Sequence, residues 1–284
     1  MASNNPILIC TDLDRTLLPN GIQPESPAAR QLFRQLVERE EVKLAYVSGR
    51  DRLLLLKAIA EFDIPMPDYA ITDVGSTIYR VDKGEWQQWD NWYAQIAPDW
   101  GIHTQRSLAE LLQDMPQLQL QEDSKQAKYK LSYYADAKTD TINLMHEINT
   151  RFHNRQIRAS LIWSIDETTQ TGLLDILPLS ANKLHAIHFL MSVQGYTPQH
   201  TVFAGDSGND LEVLCSDIQS VLVANATAEI KQQAIALANT NACAAQLYIA
   251  QGGFLEMNGN YAAGILEGVA HYLPQTIDWL KIKN

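Results

Sequence analysis

Cysteine is scarce: Cys10, Cys215 and Cys243 are all there is among 284 residues. Their odd number and the lack of a CxxC spacing argue against a disulfide framework and fit reduced thiols in a cytoplasm. Basic residues are also short. Lys and Arg number 22 against 33 Asp and Glu, a net charge of −11, which speaks against nucleic acid as a partner because phosphate backbones need a basic surface. Long apolar runs are missing too. The most conspicuous, Leu53-Leu54-Leu55-Leu56, is far too short to span a bilayer, and the opening Met1-Ala2-Ser3-Asn4-Asn5-Pro6 has no basic stretch leading into an apolar core. The expectation is a cytoplasmic protein with no membrane contact. No internal repeat or long low-complexity linker is found, and the Gln-rich stretch 113–126 is too short to count. At 46% hydrophobic, the chain can bury a real core in one large domain or two modest ones.

What the chain does have is a pair of carboxylates at the end of an apolar run. Ile7-Leu8-Ile9-Cys10-Thr11 reads as a strand and delivers Asp12 and Asp14, one alternate position apart, at the end where open α/β sheets bind ligands. One carboxylate can attack as a nucleophile while its neighbour, held partly protonated by the like charge, moves a proton. Aspartates also cap helices and fill turns, so the pair alone does not decide. A second strand, 42–47, ends in Ser48-Gly49-Arg50. Ser48 can donate its hydroxyl and Gly49 lets N–H groups approach an anion, or Ser48 simply caps the helix beginning near Asp51. Lys183 opens a helical stripe of Leu184, Ile187, Leu190 and Met191, and a lysine at a helix start opposes the macrodipole and wants an anion beside it. Finally, the strand Thr201-Val202-Phe203-Ala204-Gly205 runs into Asp206-Ser207-Gly208-Asn209-Asp210, whose density of oxygen donors suits a hard cation such as Mg²⁺.

Taken in order, Asp12-Leu13-Asp14-Arg15-Thr16, Ser48, Lys183 and the Gly205 to Asp210 segment resemble the four motifs of the haloacid dehalogenase superfamily of phosphohydrolases. More narrowly, the chain is similar to the sucrose-phosphatase branch in four places. These are Asp73-Val74-Gly75-Ser76, Lys130-Leu131-Ser132-Tyr133-Tyr134, Asp175-Ile176-Leu177-Pro178 through Asn182-Lys183, and the tail from Ala262 to Tyr272. The chain departs from the pattern at Arg15, where relatives mostly carry Asn or Gly, and at Thr77, where sucrose phosphatases tend to have Glu. Both are expected to line the approach to the acid–base pair.

The resemblance implies a Mg²⁺-dependent phosphoric monoester hydrolase of carbohydrate metabolism, with sucrose 6-phosphate as the best single substrate. Mannosylfructose phosphate is nearly as compatible. Asp12 would attack phosphorus to give an aspartyl-phosphate, and Asp14 would protonate the leaving sugar oxygen and then deprotonate water, with a pKa near the working pH. Lys183 completes the catalytic set and, with Ser48, binds phosphate oxygens; Gly49, Arg50, Gly75, Ser76, Asn182 and Asn209 join them in substrate binding. Lys130 and Tyr134 would meet the sugar from a cap. The metal set is Asp12, the backbone carbonyl of Asp14, Asp206 and Asp210, the last also orienting Lys183. The net charge repels a phosphorylated sugar, so Mg²⁺, Lys183 and Arg50 must supply positive charge locally. The implied partners are a small phosphorylated sugar and a sugar-phosphate synthase. Two other classes stay open: a sugar phosphomutase, and a non-catalytic partner of such a synthase.

The expected fold class is α/β: a doubly wound, Rossmann-like parallel-sheet core over 1–82 and 177–284, with an inserted α+β cap of the Cof (IIB) type over 83–176. Ser26-Pro27 reads as a helix start, with Leu32, Phe33, Leu36 and Val37 on one face. Strands are expected at 42–47, 69–72, 201–205 and 218–224, and helices at 54–62, 183–194, 209–215, 227–238 and from about Ala262. In the cap, 128–134 places Lys130, Ser132 and Tyr134 on one strand face and Tyr129, Leu131 and Tyr133 on the other. Strands at 158–165 and 172–177 flank a turn at 166–171, and 139–152 carries helical spacing. His146-Glu147 with His153 misses the HExxH spacing, and His185 and His188 read as a packed or surface pair. Trp86, Trp89, Trp92 and Trp100 read as packing, with a sugar platform as the alternative, and Gln251-Gly252-Gly253-Phe254 as a turn.

Overall fold

The computed structural model describes residues 6–166 and 169–280, so the opening residues 1–5 and, within the expected cap turn, Glu167 and Thr168 lie outside the described residues. The first half of the core runs β1 (Ile7–Thr11), α1 (Ala29–Val37), β2 (Val42–Val47), α2 (Arg52–Glu61), β3 (Tyr69–Thr72), β4 (Thr77–Asp82), β5 (Glu85–Gln88) and α3 (Asp90–Ile96). Then come α4 (Gln105–Leu112), β6 (Gln119–Leu120), β7 (Leu131–Asp136), α5 (Thr141–His153), β8 (Ala159–Asp166) and β9 (Thr171–Pro178). The chain closes with α6 (Lys183–Gln194), β10 (Thr201–Gly205), α7 (Leu211–Leu214), β11 (Gln219–Leu222), α8 (Ala228–Thr240), β12 (Leu247–Ile249), α9 (Ala262–Tyr272) and α10 (Ile277–Leu280).

The core sheet has the order β12, β11, β10, β1, β2, β3, β4, β5, parallel through β3 and antiparallel at the β4 and β5 edge. β1 is central and buried on both faces: Ile7 and Ile9 join α1 and α9, while Leu8 and Cys10 join α6 and α7. Each such buried aliphatic side chain contributes about 1.5–3 kcal/mol. Successive crossovers step from β1 to β2 to β3, and the chain later returns to lay β10 on the other side of β1. The strand order therefore reverses between β1 and β10, and the crevice beyond their C-terminal ends is where such sheets bind ligands.

A second, antiparallel sheet has the order β6, β7, β9, β8. Its alternation is clean. Leu131, Tyr133, Leu174 and Ile176 pack under α4 and α5, while Tyr134, Ser160, Ile162, Ser164, Leu173 and Asp175 face a cleft. The α/β class with a parallel core is as expected, and β2, β3, β10 and α6 have the expected bounds.

Several expectations need correction. The boundary at 82/83 falls inside the hairpin of β4 and β5, whose second strand belongs to the core sheet, and Trp92, Tyr93 and Ile96 of α3 pack into a core layer. The return boundary at 176/177 falls within β9, where Ile176 packs in the cap and Leu177 in the core. Ser26 does not cap α1: its hydroxyl accepts the N–H of Asn258 at 3.0 Å, and the helix starts at Ala29. The expected helix at 209–215 is a tight turn followed by the four-residue α7. All three cysteines are free and buried. No described helix is long and apolar enough to cross a membrane.

Candidate active site

The ladder between β1 and β10 continues one residue past the strand, because the Asp12 N–H donates to the Ala204 carbonyl at 2.9 Å. That fixes the backbone of Asp12 at the crevice, with its side chain 3.0 Å from Lys183 Nζ. Lys183 is the first residue of α6; Asn182 caps that helix by accepting the His185 N–H. The buried ammonium also reaches Asp210 Oδ1 at 2.7 Å and Asn209 Oδ1 at 3.3 Å. Two carboxylates thus offset its unfavourable place at a helix start. Asp210 is itself locked, its Oδ2 accepting the N–H groups of Asp206 (3.1 Å) and Ser207 (3.2 Å). Gly205 makes this possible: a Cβ there would lie 2.5 Å from the Asp210 carboxyl carbon.

Asp12, Asp206 and Asp210 offer carboxylate oxygens within 4.8 Å of one another, all buried. Burial pushes Asp12 up to about 7; Lys183 opposes this, and the charges of Asp210 and Asp206 reinforce it. Asp206 is pushed up to about 6 by burial and by Asp210, against the pull of Arg15. Burial works against the charge of Lys183, yet Asp12 and Asp210 hold its pKa above the ordinary lysine value. Negative charge in this pocket therefore exceeds what one lysine neutralises. A buried, all-oxygen, acidic donor set fits a hard cation such as Mg²⁺. Asp210 is held by buried Lys183 and by two backbone N–H groups, whereas Asp206 is held only by Thr16 and the half-exposed Arg15, so Asp12 and Asp206 are the carboxylates with more capacity to ligate.

Asp14 stands apart from this cluster. Its carboxylate receives a bidentate pair from Arg50 (Nε to Oδ2 2.8 Å, Nη2 to Oδ1 2.7 Å) and a hydrogen bond from Asn20 at 2.7 Å. Although burial acts the other way, Arg50 with Asn20 in support holds Asp14 below the usual carboxylate value. Two expectations change here. Asp14 is not poised near neutral pH in this arrangement, and Arg50 is committed to Asp14 rather than turned to the cleft. Arg15 pairs with Asp206 (Nε to Oδ2 3.3 Å) instead of lining an approach to Asp14.

The cleft measures about 690 Å³ and runs from the crevice to the cap. Its core wall includes Gly49, Val74, Asn182, Lys183 and Asn209, and its cap wall Lys130 and Tyr134. Ser48 is buried and does not line the cleft, its hydroxyl accepting the Arg50 N–H at 3.2 Å; Asp51, not Ser48, caps α2. Gly75 and Ser76 do not line the cleft. Three consecutive left-handed residues, Asp73, Val74 and Gly75, press this loop onto α6, where a Cβ on Gly75 would meet the Asn182 backbone at 2.6 Å. Val74 reaches the cleft in their place, while Ser76 is buried beneath. Thr77 is likewise buried in β4, 3.4 Å from the Tyr93 hydroxyl.

Two ion pairs tie cap to core: Lys130 to Asp73 (3.3 Å), both buried, and Lys125 to Asp51 (3.5 Å). Lys130 also lies 3.8 Å from Asp175, which accepts the Ser132 hydroxyl at 2.5 Å. Tyr134 donates to Glu122 at 2.9 Å. Sequence reasoning missed Lys125, Ser160, Ser164, Asp175 and Glu212 as cleft residues; the polar Ser160, Ser164 and Asp166, which share one face of β8 with Ile162, were the available signal. Trp86, Trp89, Trp92 and Trp100 lie outside the cleft lining, and Trp92 and Trp100 are fully buried. Glu147 pairs with Arg151, His185 sits edge-on to Trp92, and His188 bonds Asp217.

The sequence pattern of the sucrose-6F-phosphate phosphohydrolase family matches residues 5–273. The chain belongs to this family. Membership places it among the phosphoric monoester hydrolases. A relative from Nitrosococcus oceani, described no further than as HAD-like hydrolase, is 52% identical over 97% of this chain and 74% of its own length. Sucrose-phosphatase 1 of Nicotiana tabacum is 30% identical over 94% of the chain, which spans 59% of that longer protein. Among solved structures, the sucrose-phosphatase of Synechocystis sp. PCC6803, determined with sucrose and phosphate, shares the fold at a TM-score of 0.69. Its identity is 24%, covering 94% of this chain and 98% of that one.

Proposed function

We propose that this protein hydrolyses the phosphomonoester of a neutral sugar, with sucrose 6-phosphate as the leading substrate, through an aspartyl-phosphate on Asp12. The observation that carries the reading is one cleft joining two walls. At one end lies Lys183, whose ammonium meets buried Asp12 at 3.0 Å; at the other, a cap face of Tyr134, Ser160, Ser164 and Asp175 offers donors and acceptors to sugar hydroxyls. The lysines of the cleft already have acidic partners: Lys183 has Asp12 and Asp210, Lys130 has Asp73, and Lys125 has Asp51. This supports a leaving group without a second phosphate or a carboxylate.

Asp12 attacks phosphorus in line and the bond to the sugar oxygen breaks, that oxygen taking a proton from Asp14. Water then attacks the acyl-phosphate and gives its proton back to Asp14, releasing inorganic phosphate. Held as an anion by Arg50, Asp14 is ready for the second half; to carry the first proton it must disengage from that guanidinium. Lys183 binds and orients phosphate oxygens with its partner Asp210 fixed behind it. A divalent cation held by Asp12 and Asp206 would neutralise the repulsion between nucleophile and phosphate dianion.

Phosphate release from a panel tests this: sucrose 6-phosphate, mannosylfructose phosphate, glucose 6-phosphate, fructose 6-phosphate and fructose 1,6-bisphosphate, with Mg²⁺ and with EDTA. Preference for a disaccharide monophosphate is expected, with mannosylfructose phosphate the main rival. Preference for a hexose monophosphate or the bisphosphate overturns the substrate. Phosphate returned to sugar instead of water indicates a mutase, and no release from any substrate overturns the enzymatic reading.

A further inference from the structure

Arg15 is placed with unusual firmness for a surface arginine. Its φ of 58° lies in the left-handed region that disfavours any residue with a Cβ. Two side chains hold it there: Asn20 accepts its N–H at 2.8 Å, and Asn225 donates to its carbonyl at 2.6 Å. A backbone conformation kept against its own preference, and fixed on both sides, aims the side chain. The half-exposed guanidinium meets Asp206 Oδ2 at 3.3 Å, and Thr16 donates to the other oxygen, Oδ1, at 3.0 Å. Asp206 is buried and belongs to the acidic cluster. Arg15 is absent from the lining of the cleft, so its charge is directed at a carboxylate of the cluster rather than at the sugar end of the site.

We propose that Arg15 is a resident counter-ion of the cation site: it neutralises Asp206 in the cation-free protein and must yield when a divalent cation binds. The proposal rests on the cation reading given above. A guanidinium and a dication cannot both sit against one carboxylate without strong like-charge repulsion. The arginine is half in solvent, so its head can swing away without crossing packed structure. Binding is therefore an exchange rather than a simple capture. The consequence is a weaker, more salt-sensitive affinity for Mg²⁺ than Asp12 and Asp206 would otherwise give.

The test is calorimetric titration of Mg²⁺ into the EDTA-stripped 284-residue chain, its Arg15→Asn variant and its Arg15→Lys variant. Asn adopts positive φ readily, so the first variant keeps the loop while removing the charge. Arg15→Asn should bind Mg²⁺ roughly three- to tenfold more tightly than the native chain, with the gap closing at high ionic strength because an exposed charge is screened. Arg15→Lys should stay within about twofold of native. Equal or weaker binding by Arg15→Asn overturns the proposal, as does an Arg15→Lys variant that behaves like Arg15→Asn. A native chain that takes up no Mg²⁺ at millimolar concentration overturns the cation reading itself.

Discussion

Replacing the proposed nucleophile, Asp12, should stabilise the cation-free protein. Asp12 is buried, and burial above all raises its pKa from 3.8 to about 7. Ionising it in the folded state is opposed by about three pH units, worth at most ~4 kcal/mol. A carboxyl raised in this way favours the folded state below its unfolded value, near pH 4, and that advantage is lost as pH climbs through 7. At pH 8 the native chain carries the whole penalty; at pH 5, where the unfolded carboxyl is already mostly ionised, it carries about 2 kcal/mol of it. Asp12→Asn keeps the shape and removes the charge. Against the gain, Lys183 loses its contact at 3.0 Å while keeping Asp210 at 2.7 Å. The net is about 1–3 kcal/mol at pH 8, or roughly 3–8 °C in Tm for a chain of this size. Thermal unfolding in EDTA at pH 5 and pH 8 reads it. An unchanged or lower Tm at pH 8, or the same rise at both pH values, refutes the buried-charge argument. Saturating Mg²⁺ should reverse the order, since the native chain alone keeps the carboxylate proposed to hold the ion.

Asp14→Asn should slow release of a sugar alkoxide at least tenfold more than release of p-nitrophenol, which needs no proton; equal losses in kcat on both substrates would remove Asp14 from the acid role. Arg50→Gln frees Asp14 from the guanidinium that holds its pKa down, so the acidic limb of the kcat/KM profile should move to higher pH; a limb that stays in place would separate that titration from Asp14. Lys130→Ala should lower kcat/KM for sucrose 6-phosphate about ten- to a hundredfold while leaving p-nitrophenyl phosphate within about twofold. The same variant leaves Asp73 buried without its partner and should lower stability by about 3 kcal/mol in a denaturant titration.

The parts of the fold legible in the sequence were those set by local pattern. β2, β3 and β10 are apolar runs ended by small or polar residues, and α6 is closed by Gly195 in a left-handed cap. The hairpin of β4 and β5 was missed because its residues, Thr77–Asp82 and Glu85–Gln88, are mostly polar and half-exposed at a sheet edge. Ser26 carried a good local capping signal that lost to a partner 232 residues away. The site follows the same rule. Asp12, Lys183, Asp206 and Asp210 lie at strand ends or a helix start, and the chain brings them together. Arg50 on Asp14, Arg15 on Asp206, and the loop at Gly75 folded against Asn182 are side-chain and backbone encounters between distant segments, which periodicity does not encode.

The reversal of strand order at β1 also governs how the chain assembles. β1 is made first, yet one of its two neighbours, β10, is separated from it by the whole cap, and the Thr16 to Asp206 hydrogen bond spans 190 residues. Until β10 is available, β1 has an open hydrogen-bonding edge and Asp12 has no Asp206 beside it. Closing so long a loop is a slow, high-contact-order event, and an unpaired central strand is a template for aggregation in the meantime. The charged cluster is thus expected to form late, since Asp12 and Asp206 meet only once β10 has docked beside β1.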